Sequence, residues 1–110
     1  MSHYETIWTF KTKNFAVTLD VAPEDMDPAD SFEFDEDIQA IRNGDVDWFV
    51  ARVAVRFNGS IIGDDYLGGC AYRSVHDFRK DSGYFNDMVR QAVTEARKEL
   101  VRLQSVKVRQ

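Results

Sequence analysis

Hydrophobic and polar residues alternate along residues 5–22, and this alternation predicts a β-hairpin at the start of the chain. In the pairing that collects the apolar residues of both strands on one face, Phe10 lies opposite Val17 and Trp8 lies opposite Leu19. The apolar face then holds Trp8, Phe10, Phe15, Val17, Leu19 and Val21, whereas Ile7 falls on the polar face. A register that sorts both strands in this way indicates that they pair.

A second alternating stretch, residues 48–72, predicts another hairpin. The Asn-Gly pair at residues 58–59 is the strongest short-range turn signal in the chain, and it places Phe57 opposite Ser60. Continued alternation beyond this turn would bury a carboxylate. We therefore expect a β-bulge at residues 63–65.

The spacing of apolar residues changes to steps of three and four in residues 83–104, which predicts a long amphipathic helix. Its apolar stripe consists of Phe85, Met88, Val89, Ala92, Ala96, Leu100 and Leu103. Ser82 or Asp81 can cap its first turn. The small residues Gly68 and Gly69 in the preceding strand are expected to let a helix approach the sheet closely.

The remaining segments complete the predicted fold. Residues 23–34 read as an acidic connection that contains both prolines, residues 35–43 as a short helix, and residues 75–80 as a second short helix. The order ββαββαα predicts a single α+β domain over residues 1–110, with a four-stranded antiparallel sheet from two hairpins. The long C-terminal helix and the short helices pack on one face of this sheet.

Size and composition are those of a folded domain of modest size, with 110 residues, 44% of them hydrophobic. No apolar run approaches the roughly 18 residues of a membrane-spanning helix, and the first residues lack a signal-peptide pattern. The single cysteine, Cys70, leaves no internal disulfide. These features predict a cytoplasmic protein that does not insert into membranes.

Charge is distributed unevenly along the chain. The net charge is -5, yet residues 1–65 hold fourteen acids and five bases, whereas residues 66–110 hold five acids and nine bases. Eleven of the acids lie in residues 20–47, with Arg42 as the only base there. Because nucleic-acid-binding domains are usually basic, direct binding of nucleic acid by the whole molecule is not expected.

Two segments of the second half carry a family resemblance. Residues 65–78, Asp-Tyr-Leu-Gly-Gly-Cys-Ala-Tyr-Arg-Ser-Val-His-Asp-Phe, and residues 82–93, Ser-Gly-Tyr-Phe-Asn-Asp-Met-Val-Arg-Gln-Ala-Val, resemble small uncharacterised accessory proteins encoded by bacteriophages and prophages. The resemblance implies action in the host cytoplasm, by binding and redirecting host proteins such as defence systems. It transfers no catalytic residue.

The acid-rich stretch is the main candidate for a binding surface. It either keeps the protein soluble as a solvated loop, or presents charge that mimics nucleic acid to a basic groove on a host protein or protein complex. Carboxylates two residues apart in an extended chain lie about 6.6 Å apart, a spacing similar to that of phosphates. Phe32 and Phe34 are expected to pin the stretch to the core, and can also serve as contact anchors. The predicted partner-binding residues are Glu24, Asp25, Asp27, Asp30, Phe32, Glu33, Asp35, Glu36 and Asp37.

The alternative function is nucleic-acid binding through the basic outer side of the last helix. The candidate contacts there are Arg90, Arg97, Lys98 and Arg102, to which Arg52 and Arg56 of the polar strand face can add. Glu95 and Glu99 interleave with them at intervals of three, as on the solvated back of an ordinary helix. A homodimer through an uncovered sheet edge or face is also possible.

Neither catalysis nor a cofactor is predicted. Cys70 and His76 could act as nucleophile and base, but only their coexistence in one chain suggests it, and packing explains them better. The acids near Pro28 could chelate Ca²⁺ or Mg²⁺, yet the glycine of a calcium loop is missing there. We therefore predict a non-enzymatic protein without a metal site or a cofactor.

Overall fold

The computed structural model describes the backbone of residues 3–81 and 83–108, and the side chains of residues 3–80 and 83–104. The elements follow in the order β1 (Glu5–Lys11), β2 (Phe15–Pro23), a 3₁₀ turn (Pro28–Asp30), α1 (Asp35–Arg42), β3 (Asp47–Phe57), β4 (Ser60–Tyr72), α2 (Val75–Asp81) and α3 (Gly83–Val108). The predicted α+β fold is confirmed. The last helix is four residues longer than predicted, and the cap expected at its start lies outside the described side chains.

The four strands form one antiparallel sheet in the order β1-β2-β3-β4, so β1 and β4 are its edges. In the first hairpin Phe10 pairs with Val17 and Trp8 with Leu19, as predicted. The register shifts between Thr6 and Trp8, which leaves Ile7 as an extra residue in a β-bulge. Because the bulge reverses the alternation, Ile7 packs against the core, and its predicted place on the polar face is wrong.

The second hairpin turns at Asn58 and Gly59, which have φ values of 52° and 85°. Positive φ at both central residues belongs to the type I′ turn that an Asn-Gly pair favours, and it gives the predicted pair of Phe57 and Ser60. The bulge expected at residues 63–65 lies earlier, at Ile62, and the register shifts a second time at Gly68 and Gly69, which together lie opposite Val50.

α3 lies directly against the backbone of β4 at Gly63. A Cβ at this position would overlap the backbone oxygen of Ala92 and lie 2.6 Å from the backbone nitrogen of Ala96. The expected close approach at Gly68 and Gly69 is wrong, because the atoms nearest to them belong to the acidic connection and to Trp48. The glycine that allows α3 to approach the sheet is therefore Gly63, which lies earlier in β4 than the predicted Gly68 and Gly69.

The hydrophobic core lies between the sheet and α3, and α2 closes one end of it. The buried α3 residues belong to the predicted stripe, and the α2 residue Phe78 packs edge-on against Phe49 and Tyr72. The core consists of Leu19, Val21, Phe49, Ala51, Val53, Val55, Cys70, Phe78, Phe85, Met88, Ala92 and Ala96. Phe10, at the margin of the sheet, remains exposed. In the described part of the chain, every helix is too short or too polar to span a lipid bilayer.

Candidate functional site

The acidic connection and the first turns of α1, which we call the acidic segment (Glu24–Asp37), are attached to the sheet at a few points. Glu24 Oε1 accepts a hydrogen bond from the backbone N–H of Gly69 at 2.7 Å. Trp48 donates its indole N–H to the backbone oxygen of Met26 at 2.9 Å, and its ring packs against that of Phe32, 5.9 Å away. Glu24 and Phe32, both predicted as partner contacts, therefore hold the segment in place.

Asp27 also has a structural role. Its carboxylate accepts the backbone N–H of Ala29 at 3.0 Å, which caps the 3₁₀ turn, and it pairs with Arg42 at 3.2 Å. The hydrogen bond from Ala29, with help from the charge and hydrogen bond of Arg42, lowers the pKa of Asp27 below its usual value. This carboxylate joins the 3₁₀ turn to α1 across the segment.

The other predicted acids of the segment point into solvent. They are Asp25, Asp30, Glu33, Asp35, Glu36 and Asp37, which we call the outer acids. Three of them form the first turn of α1, where negative charge favours the positive end of the helix. The structure thus separates the nine predicted contact residues into three that anchor the segment and six that are exposed.

The backbone of the segment differs from the extended chain assumed for the carboxylate spacing. It forms a 3₁₀ turn at Pro28–Asp30 and enters α1 at Asp35. Neighbouring acids are therefore arranged around turns rather than along a line, so the regular spacing of about 6.6 Å for a strand does not apply. Any likeness to nucleic acid rests on the density of negative charge.

Phe34 is the residue whose position differs most from its prediction. It was expected to pin the segment to the core together with Phe32, but its side chain is 66% exposed. It occupies the N-cap of α1, where it makes no side-chain hydrogen bond to the helix. Ser, Thr, Asp or Asn at this position would cap the helix. Phe34 thus contributes neither to the core nor to the cap, and it lies directly between two outer acids.

A groove of about 480 Å³ lies between α1 and β4, beside the outer acids. Its lining is mostly apolar, with contributions from Phe32, Ile41, Val46, Leu67, Tyr72 and Tyr84. Asp37 is the one outer acid that lines it, and residues 68–72 of β4 line it from the side of the sheet. Sequence reasoning missed this groove because it depends on where α1 docks, which no local pattern encodes.

The face of the sheet opposite α3 carries a polar network around Asp20, whose side chain is 1% exposed. Arg52 donates from Nε and Nη2 to Asp20 Oδ2 at 3.0 and 2.8 Å, and Thr6 donates to Oδ1 at 2.6 Å. Arg56 reaches both Asp20 and the hydroxyl of Thr18. The two arginines considered for nucleic-acid contact are therefore directed toward a buried carboxylate.

The charge state of this network follows from its contacts. Burial opposes ionisation of Asp20, but the hydrogen bonds from Thr6 and Arg52 and the charges of Arg52 and Arg56 outweigh it. The pKa of Asp20 is consequently lowered. Arg52 also lies over the ring of Tyr4, 4.1 Å from its centroid. The network provides hydrogen bonds and positive charge to the buried carboxylate, and it fixes the position of Arg52 on the face of the sheet opposite α3.

The basic residues of α3 are largely paired with acids of the same helix. Arg90 contacts Asp87 at 3.1 Å, Lys98 contacts Glu95 at 3.6 Å, and Arg102 contacts Glu99 at 3.1 Å. Each pair spans three residues, as the sequence predicted for the latter two. Of the four candidate contacts for nucleic acid, Arg97 is exposed and has no such acid three residues before it.

The cysteine and the histidine of the discarded catalytic hypothesis lie in different environments. Cys70 is buried in β4, and burial raises the pKa of its thiol to about 11, whereas His76 is exposed on α2. A thiol with such a pKa carries almost no thiolate at neutral pH. Among the described side chains, no three His, Cys, Asp or Glu groups converge in a way that could hold a metal ion.

Comparisons with protein-family models, with curated proteins and with solved structures find no match for this chain. The chemistry of the acidic segment and of the groove beside it is therefore the basis for a functional assignment.

Proposed function

We propose that the protein is a non-enzymatic binding module of the phage accessory type, which binds a basic groove on a host protein through the outer acids and Phe34. In this proposal it occupies a groove that otherwise holds nucleic acid, and so inhibits a host defence complex. Its place of action would be the host cytoplasm.

The single observation that carries the proposal is the placement of Phe34 among the outer acids. An apolar side chain that is exposed at a helix N-cap stabilises neither the core nor the cap, so its ring is available for contact with a partner. A partner that covers Phe34 would gain apolar burial, while the surrounding acids would supply electrostatic complementarity and orientation. A purely solubilising loop has no need of an exposed aromatic ring.

The anchoring contacts support the proposal in a second way. Glu24, Phe32 and Asp27 hold the segment in one conformation without using the outer acids. A surface that is ordered before binding loses less conformational entropy when the partner arrives. The anchors and the exposed contacts are therefore separate sets of residues, and each set can be changed by itself.

Capture from a bacterial host lysate with three forms of the protein as bait tests the proposal. The test bait carries Asp25→Lys, Asp30→Lys and Glu33→Lys, and the control bait carries Glu5→Lys, Asp45→Lys and Asp64→Lys. Both triple variants change the net charge equally, but only the first alters the acidic segment. We expect one partner to be retained by the wild-type and control baits, lost from the test bait, and released by duplex DNA. Equal retention by all three baits would contradict the proposal.

The alternative, nucleic-acid binding through α3, has less support because three of its four basic contacts already face acids. A gel shift with duplex DNA at low and moderate salt separates the two functions. Binding through α3 requires a shift that weakens steeply as salt rises, because counterions are released from the phosphates. The proposed function predicts no shift at either salt concentration.

A further inference from the structure

We infer that the groove between α1 and β4 binds an extended, basic segment of the partner, which pairs with the outer edge of β4 as an additional strand. This inference rests on the proposed function, because it assigns the outer acids and the groove to the same partner. It adds the backbone conformation and the charge pattern of the segment that is recognised.

The edge of β4 supplies the backbone groups for such pairing. β4 is the last strand of the sheet, and in the described part of the chain no strand pairs with its outer side. The outer edge of a strand presents unpaired N–H and C=O groups at alternate residues, which an extended peptide can satisfy. Residues 68–72 of this edge strand line the groove.

The second β-bulge in β4, at Gly68 and Gly69, limits where a strand can add. Cys70 pairs with Phe49 and Leu67 with Ala51, so Gly68 and Gly69 together lie opposite one residue of β3. The N–H of Gly69 is already bonded to Glu24, which removes it from the set of groups open to a visitor. Pairing is therefore directed to the regular part of the strand that follows the bulge, up to Tyr72.

The charge around the groove selects a basic occupant. Asp37 lines the groove, and Glu36 and Glu33 are exposed in the same part of the acidic segment. Side chains of an added strand alternate in direction, so its apolar residues can face the lining while its Lys or Arg residues face the acids. An acidic segment would meet like charges, and a neutral one would leave the acids without a counterpart.

The helix that borders the groove contributes little to the hydrophobic core. Ile38 is the buried residue of α1. The N-cap of this helix, Phe34, makes no side-chain hydrogen bond to it. Elements with few buried apolar contacts open at low free-energy cost. A strand added beside α1 would therefore leave the core under α3 packed.

Titration of the isotope-labelled protein with defined peptides, followed by NMR, tests the inference. The probe is acetyl-Val-Lys-Val-Arg-Val-Lys-amide. Two matched peptides accompany it, one with glutamate at each basic position and one with methyl groups on alternate backbone nitrogens. We expect the probe to shift the amide signals of residues 68–72. The methylated peptide should bind about tenfold or more weakly, because it loses backbone hydrogen bonds to the edge. The glutamate peptide should produce no shifts.

Variants of the protein complete the experiment. Asp37→Asn removes the acid in the groove and should lower the affinity for the probe severalfold. Glu5→Gln, on the opposite edge strand, makes the same change of charge and should leave the affinity unaltered.

Equal binding of the methylated and unmethylated probes would overturn strand addition and leave the proposed function standing. Equal binding of the basic and glutamate peptides would overturn both. Shifts at residues 68–72 that depend on protein concentration without peptide would assign the edge to a second copy, and would also overturn the inference.

Discussion

The helices α3 and α1 both border the sheet, but they are held in different ways. α3 buries Phe85, Met88, Ala92 and Ala96, and it rests directly on Gly63. α1 buries Ile38, begins without a side-chain cap and is joined to the 3₁₀ turn by an exposed ion pair. Burial of a large apolar side chain stabilises a fold by about 1.5–3 kcal/mol. The core therefore depends on α3, whereas the region around α1 is available for changes that serve binding.

The largest loss of stability is expected for a substitution at Gly63. Gly63→Ala places a Cβ against the backbone of α3 at Ala92 and Ala96, where no flexible side chain can give way. We expect the free energy of unfolding to fall by about 3 kcal/mol, measured by urea denaturation. Gly83→Ala is the matched control, because a Cβ there meets no atom within 4 Å.

The control is expected to leave the stability unchanged or slightly higher, since alanine favours a helix over glycine. If Gly63→Ala were tolerated as well as Gly83→Ala, the close packing of α3 on β4 would not be what holds the core together.

The second largest effect concerns Asp20 and tests whether the open face of the sheet also contributes to stability. Asp20→Asn keeps the shape of the side chain but removes the charge that Arg52 and Arg56 contact. We expect a loss of about 1.5–3 kcal/mol at neutral pH, because charged hydrogen bonds are lost. The exposed Asp30→Asn is the control, with an expected change within about 0.5 kcal/mol.

The pH dependence of this loss has a definite sign. The pKa of Asp20 is lower in the folded protein than the value of about 3.9 in an unfolded chain. Its contribution is therefore fully present above that value and disappears as the pH falls through the folded-state pKa. The difference between wild type and Asp20→Asn should be constant near neutral pH and should shrink as the pH is lowered below about 4. A difference that stays constant over this range would show that the carboxylate charge is not the source of the stability.

These residues also show which parts of the fold could be predicted from the sequence. The alternation of apolar and polar residues in β1 and β2 predicted the register of the first hairpin, including the pair of Phe10 and Val17. The apolar stripe along α3 predicted the buried face of that helix. Both are local periodicities, in which the spacing of apolar residues matches the period of a single strand or helix. The positions of the two bulges in β4, at Ile62 and at Gly68 and Gly69, were not predicted, because no periodicity along a single strand marks them.

The candidate site was predicted less completely for the same reason. The concentration of acids in residues 20–47 is visible in the sequence, but their division into anchors and outer acids depends on distant partners such as Gly69 and Trp48. Asp20 was counted in the acid-rich stretch of residues 20–47, although Arg52, 32 positions away, makes it part of a buried network. No spacing rule identifies a partner across a sheet.

The smallest change in stability is expected at Phe34. Its substitution should raise the free energy of unfolding, whereas the substitutions at Gly63 and Asp20 should lower it. Phe34→Ser places a hydroxyl at the N-cap of α1, where it can accept a backbone N–H of the first turn. We expect a gain of about 0.5–1 kcal/mol in thermal or urea unfolding, together with loss of the partner that the wild-type bait retains. The matched control is Phe34→Tyr, which keeps an aromatic ring and adds no cap, and which should retain the partner without a gain in stability. A gain in stability with unaltered binding would mean that Phe34 is only a poor cap. A loss of stability would mean that its ring supports the fold after all, and that α1 is held more like α3 than its exposure indicates.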